Sequence, residues 1–225
     1  MTLQDYLDLH YLTADAFAEA AGLSREKLDL YVKEGVLAAP SYSISGSVLR
    51  SAAFGNLEAE EGSRDGDYFH PGMAAWAKYG AGSNDASQMR PIFERDMTAA
   101  LTELNRSTWR MVDAFDEDGE PLAEGLRARL DDMWSSFMDG IFGLCVAQPD
   151  TARGIATKEV LQEKLTAITA NGAELPQDAG HQAELANLIS RYADAAMPFA
   201  PPEYPTSSRK RLVDDYRARF ADALP

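Results

Sequence analysis

The chain has 225 residues, one cysteine, and 36 Asp and Glu against 21 Lys and Arg, for a formal net charge of −15. That length can bury a core without staples, while a single cysteine excludes an internal disulfide framework and a multi-cysteine zinc site and points to a reducing, cytoplasmic setting. The acidity repels phosphate backbones at long range, so generic nucleic-acid binding is disfavoured unless a local basic patch overrides it.

The opening residues MTLQDYLDLHYL lack the basic start, apolar run and cleavage site of a signal peptide. No stretch reaches the roughly 18 to 20 apolar residues of a membrane helix, so no membrane partner is expected. Leu3, Tyr6 and Leu7 form one stripe and predict a short leading helix. Thr13 then stands as an N-cap, with Ala16, Phe17 and Ala20 as the next apolar face and Gly22 as the stop. Ser24 caps a second helix carrying Leu28, Tyr31 and Val32, which Gly35 ends before Val36, Leu37 and Pro40.

The pattern A-x-x-x-G-L-S-x-x-x-L-x-x-Y-x-x-E-G-V-L over residues 18–37 resembles the helix-turn-helix of MerR-type winged-helix regulators. The resemblance implies a DNA-contacting second helix, with a basic residue just after its leucine. Here that position is Asp29, the next, commonly aromatic, is Leu30, and residues 1–40 hold seven acidic against three basic side chains. The scaffold is kept without the contact residue, and DNA is disfavoured as a partner.

Residues 41–50, SYSISGSVLR, alternate around Gly46 and predict a small hairpin placed where a wing would follow. The acidic segment 58–67 reads as an exposed loop, and residues 68–80 as a short buried helix with Met73, Trp76 and Ala77 on one face. Gly80, Gly82, Ser83 and Asn84 form the candidate linker. The expectation is a helix-turn-helix-like module over 1–80 and a helical bundle over 85–225: a mainly α, indeed all-α, protein apart from the small β wing.

Beyond the linker, Pro91 can start a long helix through Phe93, Met97, Leu101 and Leu104 to Phe115, and a second runs from Leu122 past Trp134 and Phe137. The run GIFGLCVA, 140–147, is apolar on all sides and suits the centre of a bundle. Helices are expected over 153–169 and 184–196. MPFAPPEYP then forms an extended strap anchored by Phe199 and Tyr204, and Ser207 or Ser208 caps a last helix. FMDGIFGLCVAQP, IATKEVLQEKLTAIT and MPFAPPEYPTSSRKRLV together resemble an uncharacterised bacterial family catalogued as natural-product biosynthesis proteins. That resemblance implies a pathway context and carries over no catalytic residue.

Candidate chemistry is sparse. Cys145 is a nucleophile only if a base or cation activates it, and on an apolar run it reads first as a small core residue. Lys158 and Glu159 begin a helix beside that run and could line a pocket with it; otherwise they form a solvated face. His70, before Pro71, is a pocket candidate or a turn residue. Asp67-x-x-His70 and His181-x-x-Glu184 fall short of a di-iron bundle's ligand set, so no metal and no cofactor is expected. Arg209, Lys210 and Arg211 could dock an acidic partner, or pair with Asp214 and Asp215 within the helix. The leading expectation is a natural-product-biosynthesis-associated protein binding a small-molecule ligand or pathway protein, of undetermined oligomeric state and catalytic status. The alternative is a MerR-like DNA-binding transcription regulator with a metabolite-sensing helical domain.

Overall fold

The computed structural model describes residues 1–83 and 86–221, with backbone alone for 80–83 and 86–88. It begins with α1 (Leu3–His10), which a reciprocal pairing of Thr2 and Asp5 caps and which buries Leu3, Tyr6 and Leu7. A two-residue strand β1 (Leu12–Thr13) leads into α2 (Ala14–Ala21), capped by the Thr13 hydroxyl and closed by Gly22 at φ 72°. Ser24 caps α3 (Arg25–Lys33), whose only fully buried side chain is Leu28.

Four strands follow: β2 (Tyr42–Ser45), β3 (Val48–Ser51), β4 (Gly55–Glu58) and β5 (Gly66–Phe69). With β1 they form a five-stranded antiparallel sheet in the order β1-β5-β2-β3-β4. The expected mainly α class is therefore corrected to mixed α and β, and the all-α description fails with it. The hairpin around Gly46 is present, but it is the middle of a sheet rather than a wing on a bundle.

Two strands arise in or beside the segment read as loop. β5 is GDYF, with Gly and Asp disfavoured in strands. Its pairing with β1 (Leu12 opposite Phe69) and with β2 (Tyr42 opposite Tyr68) buries Tyr68 and Phe69 and outweighs local propensity. The expected helix over 68–80 accordingly starts later, as α4 (Met73–Ser83), so the backbone through Ser83 is helical and the linker position Asn84 lies outside the described residues.

The long helix α5 (Ala86–Ser107) contains Pro91 rather than starting at it, and ends before Val112, which is 68% exposed. Phe93, Met97, Leu101 and Leu104, at steps of four and three, are buried along it. Full burial of such side chains is worth about 1.5–3 kcal/mol each. α5 is the axis against which α4, α6 (Ala123–Met138) and α8 (Ala152–Ile168) pack. Trp76, Phe93, Trp134 and Phe137 meet there, with ring centroids 5.0 to 5.9 Å apart.

Between α6 and α8 lies the short helix α7 (Ile141–Cys145), and its glycines serve packing. A Cβ on Gly140 would stand 2.5 Å from the Ala39 carbonyl oxygen, and one on Gly143 2.5 Å from Ser41 Oγ. α7 is thereby pressed onto the 39–41 segment and His70. α9 (Ala179–Ala195) packs on α8 with a π-helical turn (Lys210–Asp214) that runs into α10 (Asp215–Arg219). A second cluster of Leu161, Leu165, Leu188, Ile189, Tyr192 and Leu212 fills that end, while the main core runs from Leu3 to Ala200.

Candidate functional site

Because α6 and α8 both lean on α5, a groove of about 710 Å³ opens between them. Its floor is apolar, with Leu101 of α5, Met133 of α6 and Phe142 of α7. Its walls carry Asp113, Asp132, Glu159 and Glu163, with Arg129 as the one basic lining residue. The α6 lining, Gly125, Ala128, Arg129, Asp132, Met133 and Ser136, is a single helical face at three- and four-residue steps.

Arg129 spans the groove. One guanidinium nitrogen lies 2.7 Å from Glu163 Oε2 on α8 and the other 2.6 Å from Asp113 Oδ1. Burial works against its charge, and the two carboxylates outweigh that and raise its pKa. Trp109 Nε1 donates to the other Glu163 oxygen at 3.1 Å, so Glu163 is fixed from two sides. Of the other two carboxylates Glu159 is paired with Lys158, so the excess negative charge of the groove comes from Asp132 and from the two acids that share Arg129. Among the described residues no three His, Cys, Asp or Glu side chains are gathered closely enough to hold a metal ion.

Cys145, Lys158 and Glu159 come together behind the α8 wall. Lys158 is 3% exposed, with Nζ 2.8 Å from Glu159 Oε1 and 3.5 Å from Cys145 Sγ. Burial pushes the Cys145 thiol up to about 11, so it is a neutral thiol at pH 7. Burial also works against the Lys158 ammonium, but the sulfur and the Glu159 carboxylate more than offset it and its pKa is raised. Of the three, only Glu159 faces the groove.

His70 is elsewhere. It lies beside Gly143 at the other side of α7, its Nδ1 accepting from the Gly72 N–H at 3.0 Å and its ring 5.9 Å from that of Tyr11. Burial lowers its pKa to about 4. Nearby, Tyr6, Tyr11 and Tyr42 cluster with ring centroids 5.0 to 6.3 Å apart, the two contacts to Tyr42 edge-on, and Glu203, wholly buried, accepts from the Tyr42 hydroxyl at 2.6 Å. Burial raises the Glu203 pKa, although the Ser51 and Tyr42 hydroxyls oppose it. Glu203 thus anchors the strap together with Phe199, whereas Tyr204 turns outward to Asp214.

Of the basic cluster, Arg209 donates to the Ala193 and Ala196 carbonyl oxygens at 2.5 and 2.9 Å and so closes the end of α9. Lys210 pairs with Asp215, five residues on, a spacing that suits the π-helical turn. Arg211 lies against Gly172. On α3, Leu30 is 47% exposed and the outer face also carries Glu26, Lys27, Asp29, Lys33 and Glu34, while Arg25 is engaged by Asp15 and Asp29.

Sequence reasoning passed over Arg129, Asp113, Asp132, Glu163 and Glu203. Glu203 had a visible signal, a lone carboxylate in a proline strap; the groove residues had none, since they read as an ordinary solvated helix face. No helix among the described residues is long and apolar enough to cross a membrane. Residues 89–221 match the model of a family described as of unknown function, DUF6058. No curated protein and no solved structure matches the chain.

Proposed function

The chain belongs to DUF6058, a family of unknown function, and from that premise we propose that it is a small-molecule-binding protein whose ligand is an organic cation with an apolar body. The observation that carries this reading is the groove between α6 and α8, apolar at its floor and lined by four carboxylates against one arginine. A volume of about 710 Å³ lies within the ordinary range for small-ligand sites. Its lining contains neither His nor Cys, and the thiol behind it is protonated, which favours binding over nucleophilic catalysis. The resemblance of the α7, α8 and strap segments to an uncharacterised bacterial family catalogued as natural-product biosynthesis proteins supplies a pathway context for this binding.

Calorimetric titration with phenethylamine, 2-phenylethanol and 3-phenylpropionate tests the reading, since the three share an aryl body and differ in charge. The amine is expected to bind at least about tenfold more tightly than the alcohol, a difference of about 1.4 kcal/mol. Asp132→Asn is expected to reduce that preference. Equal binding of the amine and the carboxylate would overturn it.

A second reading, the regulator with a metabolite-sensing helical domain, is favoured by one observation: the outer face of α3, with Leu30 47% exposed, is open to solvent among the described residues. Against it stands the composition of that face, where Lys27 and Lys33 are matched by Glu26, Asp29 and Glu34. A DNA mobility-shift assay over a range of salt separates the two, because a phosphate-neutralising reader loses affinity steeply as salt rises.

A further inference from the structure

We propose that the cleft between the start of α8 and the end of α9 is an anion site that takes a small phosphate monoester through Arg153 and Arg191. The cleft has a volume of about 400 Å³, within the ordinary range for small ligands. Arg153, Thr157 and Leu161, at steps of four, line it from α8, and Arg191, Asp194 and Ala195 line it from α9. Residues two apart on a helix point about 200° apart around its axis, so this lining lies on the side of α8 away from Glu159 and Glu163. One helix thus separates a groove lined by four carboxylates and one arginine from a cleft lined by two arginines and one carboxylate. The anion site is independent of the ligand proposed for the groove.

Neither guanidinium is committed elsewhere. Among the described residues Arg191 has no ion pair and no side-chain hydrogen bond, although Asp194 stands three positions along the same helix. Arg153 is paired with Glu103, but the two side chains are 55% and 57% exposed, and a pair so open to water contributes little. Arg153 can therefore turn from Glu103 to a dianion at small cost. Each planar guanidinium presents parallel N–H donors that match two oxygens of one phosphate group. A carboxylate, with two oxygens and one charge, is satisfied by a single arginine; two arginines, with the Thr157 hydroxyl and the Gln148 amide beside them, suit three oxygens and two charges. Asp194 subtracts one charge and leaves the cleft net positive in a chain of net charge −15. Leu161 and Ala195 supply apolar surface for the organic part of the ester.

Calorimetric titration of the full chain at about pH 8, where a phosphate monoester is a dianion, tests the site with phenyl phosphate, inorganic phosphate and phenol. Phenyl phosphate is expected to bind at least about tenfold more tightly than phenol, which has its ring without the charge. It is also expected to bind more tightly than inorganic phosphate, which has the charge without the ring. Arg191→Gln and Arg153→Gln should each weaken phenyl phosphate by about tenfold or more, and since both side chains are exposed neither change disturbs the core. Asp194→Asn should tighten it, whereas Arg217→Gln, on an arginine outside the cleft that donates to Ser190, should leave it unchanged. Phenyl phosphate binding no tighter than phenol would overturn the proposal, and so would binding that both Arg191→Gln and Arg153→Gln leave intact. Inorganic phosphate binding as tightly as phenyl phosphate would overturn the assignment to a monoester.

Discussion

The Tyr42 hydroxyl donates a 2.6 Å hydrogen bond to the carboxylate of Glu203 across 161 positions of the chain, at a place where Glu203 has no exposure to solvent. This contact fastens the proline strap to the second strand of the sheet. Tyr42→Phe removes the donor and leaves a buried acceptor, at an expected cost of about 1–3 kcal/mol in urea denaturation. Glu203→Gln keeps an acceptor without the burial cost of a charge and is expected to lie within about 1 kcal/mol of the parent. A Tyr42→Phe protein as stable as the parent would mean that the strap is held by its apolar contacts alone.

Two buried groups give stability opposite slopes with pH. The folded pKa of Glu203 is raised by burial, so its contribution is complete below the ordinary glutamate value and is lost as pH rises through the raised one. His70 is lowered from 6.5 to about 4, so its contribution is present above 6.5 and is lost as pH falls through that window. The His70 shift corresponds to about 3 kcal/mol. Denaturation at pH 7 and pH 4.5 is expected to show a smaller loss on acidification in His70→Asn than in the parent. An identical loss in both would remove His70 as the cause.

Gly140 has φ 80°, and a Cβ there would sit 2.5 Å from the Ala39 carbonyl oxygen, a backbone atom with no room to retreat. Gly140→Ala is therefore expected to destabilise by about 2–4 kcal/mol, combining backbone strain with overpacking. Gly62 has φ 88° and nothing within 4 Å of the same position. Gly62→Ala should cost only the strain, about 1–2 kcal/mol. Melting temperatures of the two variants compare them directly, and equal losses would contradict the account of α7 packing.

Arg129 ties α6 to Glu163 and Asp113 with a side chain 18% exposed. Arg129→Met should lower stability by about 1–2 kcal/mol, the figure reduced for screening at the more exposed carboxylates. Removing that positive charge leaves the groove more acidic, so phenethylamine should bind the variant more tightly than the parent. Weaker binding, in a variant shown to be folded, would place Arg129 among the ligand contacts instead.

Amphipathic steps of three and four residues, with Thr13 and Ser24 as caps and Gly22 as a stop, were enough by themselves to locate α1, α2, α3, α6 and α8, because a helix buries one face whatever it packs against. The alternation around Gly46 did the same for β2 and β3. Tertiary structure alone decided β1 and β5, whose residues have no strand pattern of their own and become strands only because Leu12 and Phe69 find each other, and Tyr68 finds Tyr42, many residues apart in the chain. It alone decided the groove as well. Arg129, Asp132 and Glu163 look like solvated helix positions until α5 sets their two helices apart, and Glu203 looks like a surface charge until the strap folds it under Tyr42. Periodicity reports which face of an element is apolar; which charges that burial then traps or brings together depends on where the partner elements lie.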